Sequence, residues 1–145
     1  MSGFKLSLPD QFRFSTQIKI RITDLNYGGH VGNDAILSII HEARMQFLNH
    51  FQLSELEFSG FGLIMADVVI EFKAESFFGD ILEVYVTAAN FSRAGFDLYY
   101  ALKRQQTEQG KEVTIAIAKT GMVCYDYPNK KVVSVPEGIK ELLLG

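Results

Sequence analysis

One long apolar segment with helical spacing, in a chain that otherwise alternates with a period of two, constrains the fold most. Between residues 33 and 51, apolar side chains recur every three or four positions. The stripe consists of Ile36, Ile39, Ile40, Ala43 and Phe47, widened by Leu37, Leu48 and Phe51. At 1.5 Å per residue this helix spans about 27 Å. So broad an apolar surface predicts a helix enclosed by other structure rather than one lying on a surface.

Polar residues mark the start of this helix. Asn33 is a favoured N-cap residue whose side chain accepts a backbone N–H, and Asp34 in the first turn suits the positive end of the helix dipole. The sequence therefore predicts that the side chain of Asn33 caps a helix running to about Phe51. A short connection with helical character is predicted at residues 54–58.

Period-two alternation predicts five strands around the helix. In the first, residues 12–22, apolar side chains occupy even positions and polar ones the odd positions. The others are predicted at residues 62–73, Ile81–Ala89, 96–103 and 112–127. Turns are expected at residues 105–111 and 127–130, the latter with Pro128 at its corner, and a helical turn at residues 136–144 opens on Pro136.

The order of these elements indicates the fold class. One strand, one long helix and four strands joined by short turns favour antiparallel neighbours, with the helix against the sheet. This is an α+β arrangement. At 145 residues, without an internal repeat or linker, the chain is predicted to form one domain over residues 1–145.

The predicted strand at residues 62–73 carries apolar side chains on both faces. By alternation, Val68, Ile70 and Phe72 share one face, and Met65 and Val69 share the other. One helix cannot cover both faces, whereas pairing with a second copy about a two-fold axis can. The sequence therefore predicts a homodimer formed through this strand.

Charge and composition exclude several classes of function. The net charge is −3, and Lys and Arg do not cluster beyond Lys130 and Lys131, so no nucleic-acid partner is expected. The single cysteine, Cys124, fits a reducing compartment. The first ten residues lack a secretory-signal pattern, and no apolar run reaches the roughly 20 residues of a membrane span. We expect a cytoplasmic protein without a membrane partner.

Residues 24–33 bring polar groups together between the first strand and the helix. This loop reads Asp24-Leu25-Asn26-Tyr27-Gly28-Gly29-His30-Val31-Gly32-Asn33. Carboxylate, amide and imidazole groups stand there beside the N–H groups of a helix start, which suits the binding and attack of a carbonyl. The adjacent glycines permit positive φ and close approach of a ligand to the backbone.

The order of elements, together with Gly29-His30-Val31-Gly32-Asn33 and Glu42-Ala43-Arg44, resembles the hotdog-fold thioesterases. Within them the chain is most similar to the 4-hydroxybenzoyl-CoA thioesterase family of short acyl-CoA hydrolases. Other matching stretches are Phe78-Gly79-Asp80, Gly121-Met122-Val123-Cys124-Tyr125-Asp126 and Val135-Pro136-Glu137. The resemblance covers residues 12–143. It implies one long central helix wrapped by a five-stranded antiparallel sheet, and a homodimer whose active sites use both chains; such dimers often pair again in this family.

The resemblance also implies roles for the loop residues. In the family pattern Asp-x-Asp-x-x-Gly-His-Val-x-Asn, the second Asp is the usual nucleophile or general base. Here Asp24 occupies the first position, but Asn26 occupies the second, and an amide cannot accept a proton as a carboxylate does. The implied catalytic set is Asp24 as base, Asn26 and His30 orienting water or substrate, and the Asn33 N–H polarising the carbonyl. The implied substrate contacts are Tyr27, Gly28, Gly29 and Glu42.

Each of these residues also has a structural alternative. Asp24 can be a turn-former that accepts backbone N–H groups, and Asn26 can form an Asx turn. His30 can be a structural hydrogen-bonding residue. Glu42, on the flank of the apolar stripe, either substitutes for the missing Asp or forms an ion pair, with Arg44 or with a neighbouring strand.

The predicted reaction needs no added cofactor. His30, His41, His50 and Cys124 lack metal-ligand spacing, and the sequence carries no dinucleotide or phosphate-loop motif. Coenzyme A or acyl carrier protein would arrive as part of the substrate. The predicted function is therefore hydrolysis of an acyl-CoA or acyl-carrier-protein thioester to free acid and thiol. The alternative, favoured by Asn26, is an acyl-thioester-binding protein with weak or lost hydrolysis; a hotdog dehydratase matches the loop less well.

Overall fold

Residues 5–105 and 110–145 are described by a computed structural model and form one antiparallel sheet packed against a long helix. β1 (Phe14–Lys19) leads through a 3₁₀ turn (Ile22–Asp24) to α1 (Asn33–His50). The remaining elements are β2 (Gly62–Phe72), β3 (Ile81–Ala89), β4 (Gly95–Gln105), β5 (Glu112–Asp126), β6 (Lys131–Val132) and α2 (Ile139–Leu144).

The strand order across the sheet is β1-β3-β4-β5-β2, and β6 pairs with β5. All pairs are antiparallel. The α+β prediction is confirmed, with a two-residue sixth strand added to the predicted five. β6 forms because the predicted turn at residues 127–130 brings Lys131 and Val132 opposite Asp126 and Tyr125.

The apolar stripe of α1 packs on the inner face of this sheet, as predicted. Its buried members are Ile36, Ile39, Ile40, Ala43, Phe47 and Leu48. Phe47 meets Phe14 of β1 edge to face, with ring centroids 5.6 Å apart. The enclosure is one-sided, however. Leu37 is 39% exposed and His41 is exposed, because the sheet of a single chain covers only one side of the helix.

The start of α1 differs from the prediction. Gly32, not Asn33, is the N-cap, and no side chain caps the helix. The Gly32 carbonyl accepts the first helical bond, from the N–H of Ile36 at 3.1 Å. A Cβ at Gly32 would lie 2.7 Å from the Oδ1 of Asp34, so a larger residue there would require the Asp34 side chain to move. Asn33 is therefore the first helical residue, and its backbone N–H is one of the free donors of the first turn.

The boundaries of other elements also differ from those predicted. The first strand ends at Lys19 rather than residue 22, because the chain turns into the 3₁₀ segment and leaves Ile22 67% exposed. The connection at residues 54–58 forms bends instead of a helix, with the Ser54 hydroxyl accepting the N–H of Glu57. α2 begins at Ile139, three residues after Pro136. The predicted turn at 105–111 falls mainly on residues 106–109, outside the described residues.

A β-bulge in β2 changes which face Met65 occupies. The register with β5 shifts between Met65 and Asp67, leaving Ala66 as the extra residue. Met65 lies opposite Met122, and Val68 lies opposite Thr120, both of which are buried on the inner face. Met65 therefore shares the inner face with Val68, and the simple alternation that put it with Val69 is wrong.

A buried polar network joins α1 to the sheet. Arg44, only 4% exposed, donates from Nε to Glu55 at 2.6 Å and from Nη1 to the Tyr100 hydroxyl at 3.3 Å. The Tyr100 hydroxyl is 2.7 Å from that of Thr120, and Nε2 of His41 is 3.1 Å from Glu55. Burial alone would raise the pKa of Glu55, but the hydrogen bonds and charges of Arg44 and His41 outweigh it and hold that pKa below its ordinary value.

We expect Glu55→Gln to destabilise the fold by about 3 kcal/mol at neutral pH, since it leaves the buried guanidinium of Arg44 without its counter-charge. The folded-state pKa of Glu55 is lowered, so this contribution is present above the unfolded pKa and is lost as pH falls through the folded pKa. Urea unfolding of both proteins from neutral to acid pH measures the difference.

Glu137, which is exposed, supplies the matched control. Glu137→Gln should unfold like the wild type at every pH. A Glu55→Gln difference that stays constant down to acid pH would contradict the ion-pair account.

Candidate active site at the start of α1

The loop before α1 is closed by its own hydrogen bonds. Leu25 and Val31 form a β-bridge, and Asn26 donates its N–H to the His30 carbonyl at 2.9 Å. The side-chain Oδ1 of Asn26 accepts the Gly28 N–H at 2.9 Å. This is the Asx turn that the sequence left open as an alternative. The amide oxygen of Asn26 is thus engaged with the loop itself.

Two glycines shape the loop around His30. Gly29 has φ +81°, a conformation that favours glycine. A Cβ on Gly28 would lie 3.1 Å from Nε2 of His30, so the imidazole packs closely over the bare backbone. Tyr27, expected to contact substrate, is fully exposed at the tip of the loop.

The β2–β3 connection backs this loop. Val31 donates its N–H to the Ser76 carbonyl at 2.8 Å, and His30 bridges to Phe77. Asp80 holds the connection in shape, since its Oδ2 accepts the Ser76 hydroxyl and the Phe77 N–H, each at 2.9 Å. The position of His30 is therefore fixed from two distant parts of the sequence.

A cavity of about 290 Å³ opens at the start of α1, and both His30 and Asn33 line it. Phe72 and Glu75 lie on its other side, with Glu75 Oε2 3.6 Å from His30 Nε2. Within residues 5–105 and 110–145, the N–H of Asn33 donates to no backbone or side-chain acceptor. The cavity thus combines an imidazole, a carboxylate and a free donor at the positive end of a helix.

Asp24 and Glu42 lie in a different cavity, of about 420 Å³. Asp24 is 6% exposed, and its Oδ2 accepts the Arg21 N–H at 2.8 Å, which stabilises the 3₁₀ turn. Its carbonyl accepts the Gly32 N–H at 3.1 Å. Counting about 100° per residue, Glu42 faces away from Asn33 across α1.

Glu42 does not pair with Arg44 as the sequence alternative suggested. Its Oε2 accepts Nε2 of Gln46 at 2.7 Å, while Arg44 binds Glu55. Asp67, another carboxylate within an apolar strand, binds Lys119 and the Gly121 N–H beside the β2 bulge.

The structure therefore divides the predicted set in two. His30 and Asn33 line one cavity, and Asp24 and Glu42 line the other. The base role expected of Asp24 stays a prediction, while its contacts are those of a turn-former. Sequence reasoning missed Glu75 and Phe72, which belong to the end of β2 and the connection after it. The one available signal was Phe78-Gly79-Asp80, since Asp80 organises that connection.

Among the described residues, no helix is long and apolar enough to cross a membrane. Two apolar side chains near the cavity of His30 and Asn33 are exposed: Phe72 at 49%, at the end of β2, and Phe77 at 45%, in the β2–β3 connection.

Comparisons with known proteins agree with this architecture. Residues 20–143 match the family model described as "Thioesterase-like superfamily". A 1,4-dihydroxy-2-naphthoyl-CoA hydrolase from Microcystis aeruginosa is 29% identical over 86% of this chain and 88% of its own length.

Two solved structures are similar across most of the chain. A 1,4-dihydroxy-2-naphthoyl-CoA thioesterase from Synechocystis is 26% identical, with TM-score 0.76 over 90% of this chain and 94% of that one. The 4-hydroxybenzoyl-CoA thioesterase from Pseudomonas sp. strain CBS-3 is 17% identical, with TM-score 0.77 over 89% and 97%, and supports the fold alone. The hotdog fold and the resemblance inferred from the sequence are confirmed: this chain belongs to the thioesterase-like superfamily.

Proposed function

We propose that this protein hydrolyses acyl-CoA thioesters to free acid and coenzyme A. The observation that carries the proposal is the N–H of Asn33, which has no acceptor in the part of the chain that the structure describes. It opens on a cavity shared with His30 and Glu75 in a member of the thioesterase-like superfamily. A carbonyl oxygen hydrogen-bonded to this donor is polarised for attack. Removing one such donor typically costs about 3 kcal/mol of transition-state stabilisation.

Within this proposal, the loop residues position the reacting groups. Asn26 holds the Asx turn, and Gly28 allows the His30 ring to pack against the loop. Asp24 orients the start of α1 through its carbonyl, which accepts the N–H of Gly32. A water molecule attacks the carbonyl carbon, the C–O bond forms, and the C–S bond then breaks to release the thiol.

We propose that the acyl group is aromatic. Two relatives are named for 1,4-dihydroxy-2-naphthoyl-CoA. Phe72, Ile36 and Ile115 give the cavity an apolar lining, and its volume of about 290 Å³ suits a compact ring better than a long chain.

A second candidate, an acyl-thioester-binding protein without efficient hydrolysis, is favoured by one observation. Asn26 stands where the family pattern has a catalytic carboxylate, and its amide is engaged in the loop.

A panel of aromatic and aliphatic acyl-CoAs, followed by thiol release, separates the two. We expect hydrolysis, with aryl-CoAs turned over fastest. Asn26→Asp serves as the comparison, because Asp retains the acceptor for the Gly28 N–H and should leave the loop intact. Wild-type protein that binds these thioesters without cleaving them, beside an active Asn26→Asp, would establish the binding function instead.

We also propose that the protein is a homodimer joined through β2. This strand of 11 residues is one edge of the sheet, so one row of its backbone groups has no neighbouring strand within the described residues. Apolar side chains of β2 and α1 continue beyond the cover of one chain: Met65 is 38%, Phe72 49% and Leu37 39% exposed. A second copy brought edge to edge would cover these side chains and the open face of α1. A tetramer made of two such dimers is compatible with this proposal.

We expect light scattering at micromolar concentration to give at least twice the chain mass. Leu37→Glu should shift the protein to monomer and reduce hydrolysis, because it places a charge in the proposed interface. The matched control is Leu142→Glu in α2, where the side chain is similarly exposed at 44%. A fully active wild-type monomer, or a dimer indifferent to Leu37→Glu, would contradict the proposal.

A further inference from the structure

We propose that Glu75 is the general base of this hydrolase, with His30 as its partner. The inference rests on the proposed thioester hydrolysis and assigns the step that the amide of Asn26 cannot perform. Its basis is the placement of carboxylates around the start of α1. Among residues 5–105 and 110–145, Glu75 is the one carboxylate that lines the cavity of Asn33.

The other acidic residues near the loop are committed elsewhere. Asp24 is buried and accepts the Arg21 N–H, and Glu42 accepts Gln46 in the cavity on the far side of α1. Asp34 folds back towards Gly32, with its Oδ1 2.7 Å from where a Cβ would stand. None of these three lines the cavity into which the first turn of α1 opens.

The backbone around Glu75 is anchored, whereas its carboxylate is accessible. Arg104 donates to the Glu75 carbonyl, and the next residue, Ser76, is 1% exposed and accepts the Val31 N–H. The Glu75 side chain is 63% exposed. A fixed main chain with an accessible carboxylate is what a base needs in order to meet a water molecule and a substrate.

The separation from His30 leaves the carboxylate available. The 3.6 Å between Glu75 Oε2 and His30 Nε2 is longer than a hydrogen bond. The lone pairs of Glu75 can therefore accept a proton from water, while the neighbouring His30 imidazole orients the carboxylate and the water. His30 is held over Gly28, so it acts as a positioning residue for Glu75.

The step balances without any further reagent. Glu75 takes one proton from water as the water oxygen bonds to the thioester carbon, and the Asn33 N–H binds the oxyanion that forms. When the oxyanion collapses, the C–S bond breaks and the electron pair leaves on sulfur. The proton held by Glu75 passes to the thiolate, which gives free acid, free thiol and a regenerated carboxylate.

Several charged groups face this pair. Lys73 lines the same cavity and also binds Glu71, at 3.0 Å. Arg104 contacts the Glu75 backbone and lies 4.0 Å from Asp80. The positive end of α1 adds a partial charge from the other side. Lys73, Arg104 and the start of α1 thus place positive charge around the cavity that Glu75 lines.

The test is Glu75→Gln, assayed with the best wild-type substrate. Turnover should fall by about 10²- to 10⁴-fold, the scale of general-base catalysis, with KM changed by less than about threefold. The acid limb of the kcat profile, where the base becomes protonated, should disappear. His30→Gln should lower kcat less, and adding it to Glu75→Gln should cost little more, because the two act as a unit.

Glu137→Gln, the same chemical change at an exposed position away from the cavity, should keep full turnover and the acid limb. Circular dichroism and thermal melting should show both variants folded, because the Glu75 side chain is largely exposed. Near-wild-type turnover in Glu75→Gln, or loss in Asp24→Asn or Glu42→Gln instead, would overturn the assignment. Wild-type protein without any hydrolysis would overturn the proposed function itself, which is a different result.

Discussion

The candidate active site depends on two backbone hydrogen bonds that fix where α1 begins. Val31 donates to Ser76 at 2.8 Å, and Gly32 donates to Asp24 at 3.1 Å. With both N–H groups committed, the N–H of Asn33 that follows has no acceptor among the described residues. The helix is then held against the sheet by its apolar stripe and by Arg44, which pairs with Glu55 and donates to Tyr100 of β4. The donor is therefore rigid before any substrate arrives, which is the condition for electrostatic stabilisation of an oxyanion.

Much of the fold followed from periodicity alone. The strand Ile81–Ala89 was predicted at its observed bounds, and α1 starts at Asn33 and ends one residue before the predicted Phe51. Alternation failed where a local interaction replaced it. Ala66 inserts a bulge into β2 and moves Met65 to the inner face, and the first strand stops early because Asp24 holds a 3₁₀ turn. Neither interaction leaves a mark on the hydrophobic pattern.

Only part of the site was predicted, because the sequence shows which residues are close along the chain but not which distant ones the fold brings together. His30 and Asn33, which are three residues apart in the sequence, do share a cavity, and the loop motif was enough to indicate them. Glu75 comes from the connection after β2, which runs from β2 at one edge of the sheet to β3 beside β1, and only this crossing carries it to His30. Asp24 was singled out because it occupies the first acidic position of the family pattern, yet its side chain turns towards Arg21. Proximity along the chain does not determine which side of a helix a carboxylate faces.

The central claim is that the thioester carbonyl binds at the start of α1, between Asn33 and Glu75. The most direct test is a crystal structure with a CoA ketone analogue in which a methylene replaces the thioester sulfur. The account predicts the ketone oxygen at about 3 Å from the Asn33 nitrogen, the length of a hydrogen bond, with the Glu75 carboxylate beside the carbonyl carbon. A ketone group bound in the cavity of Asp24 and Glu42, on the other side of α1, would contradict it.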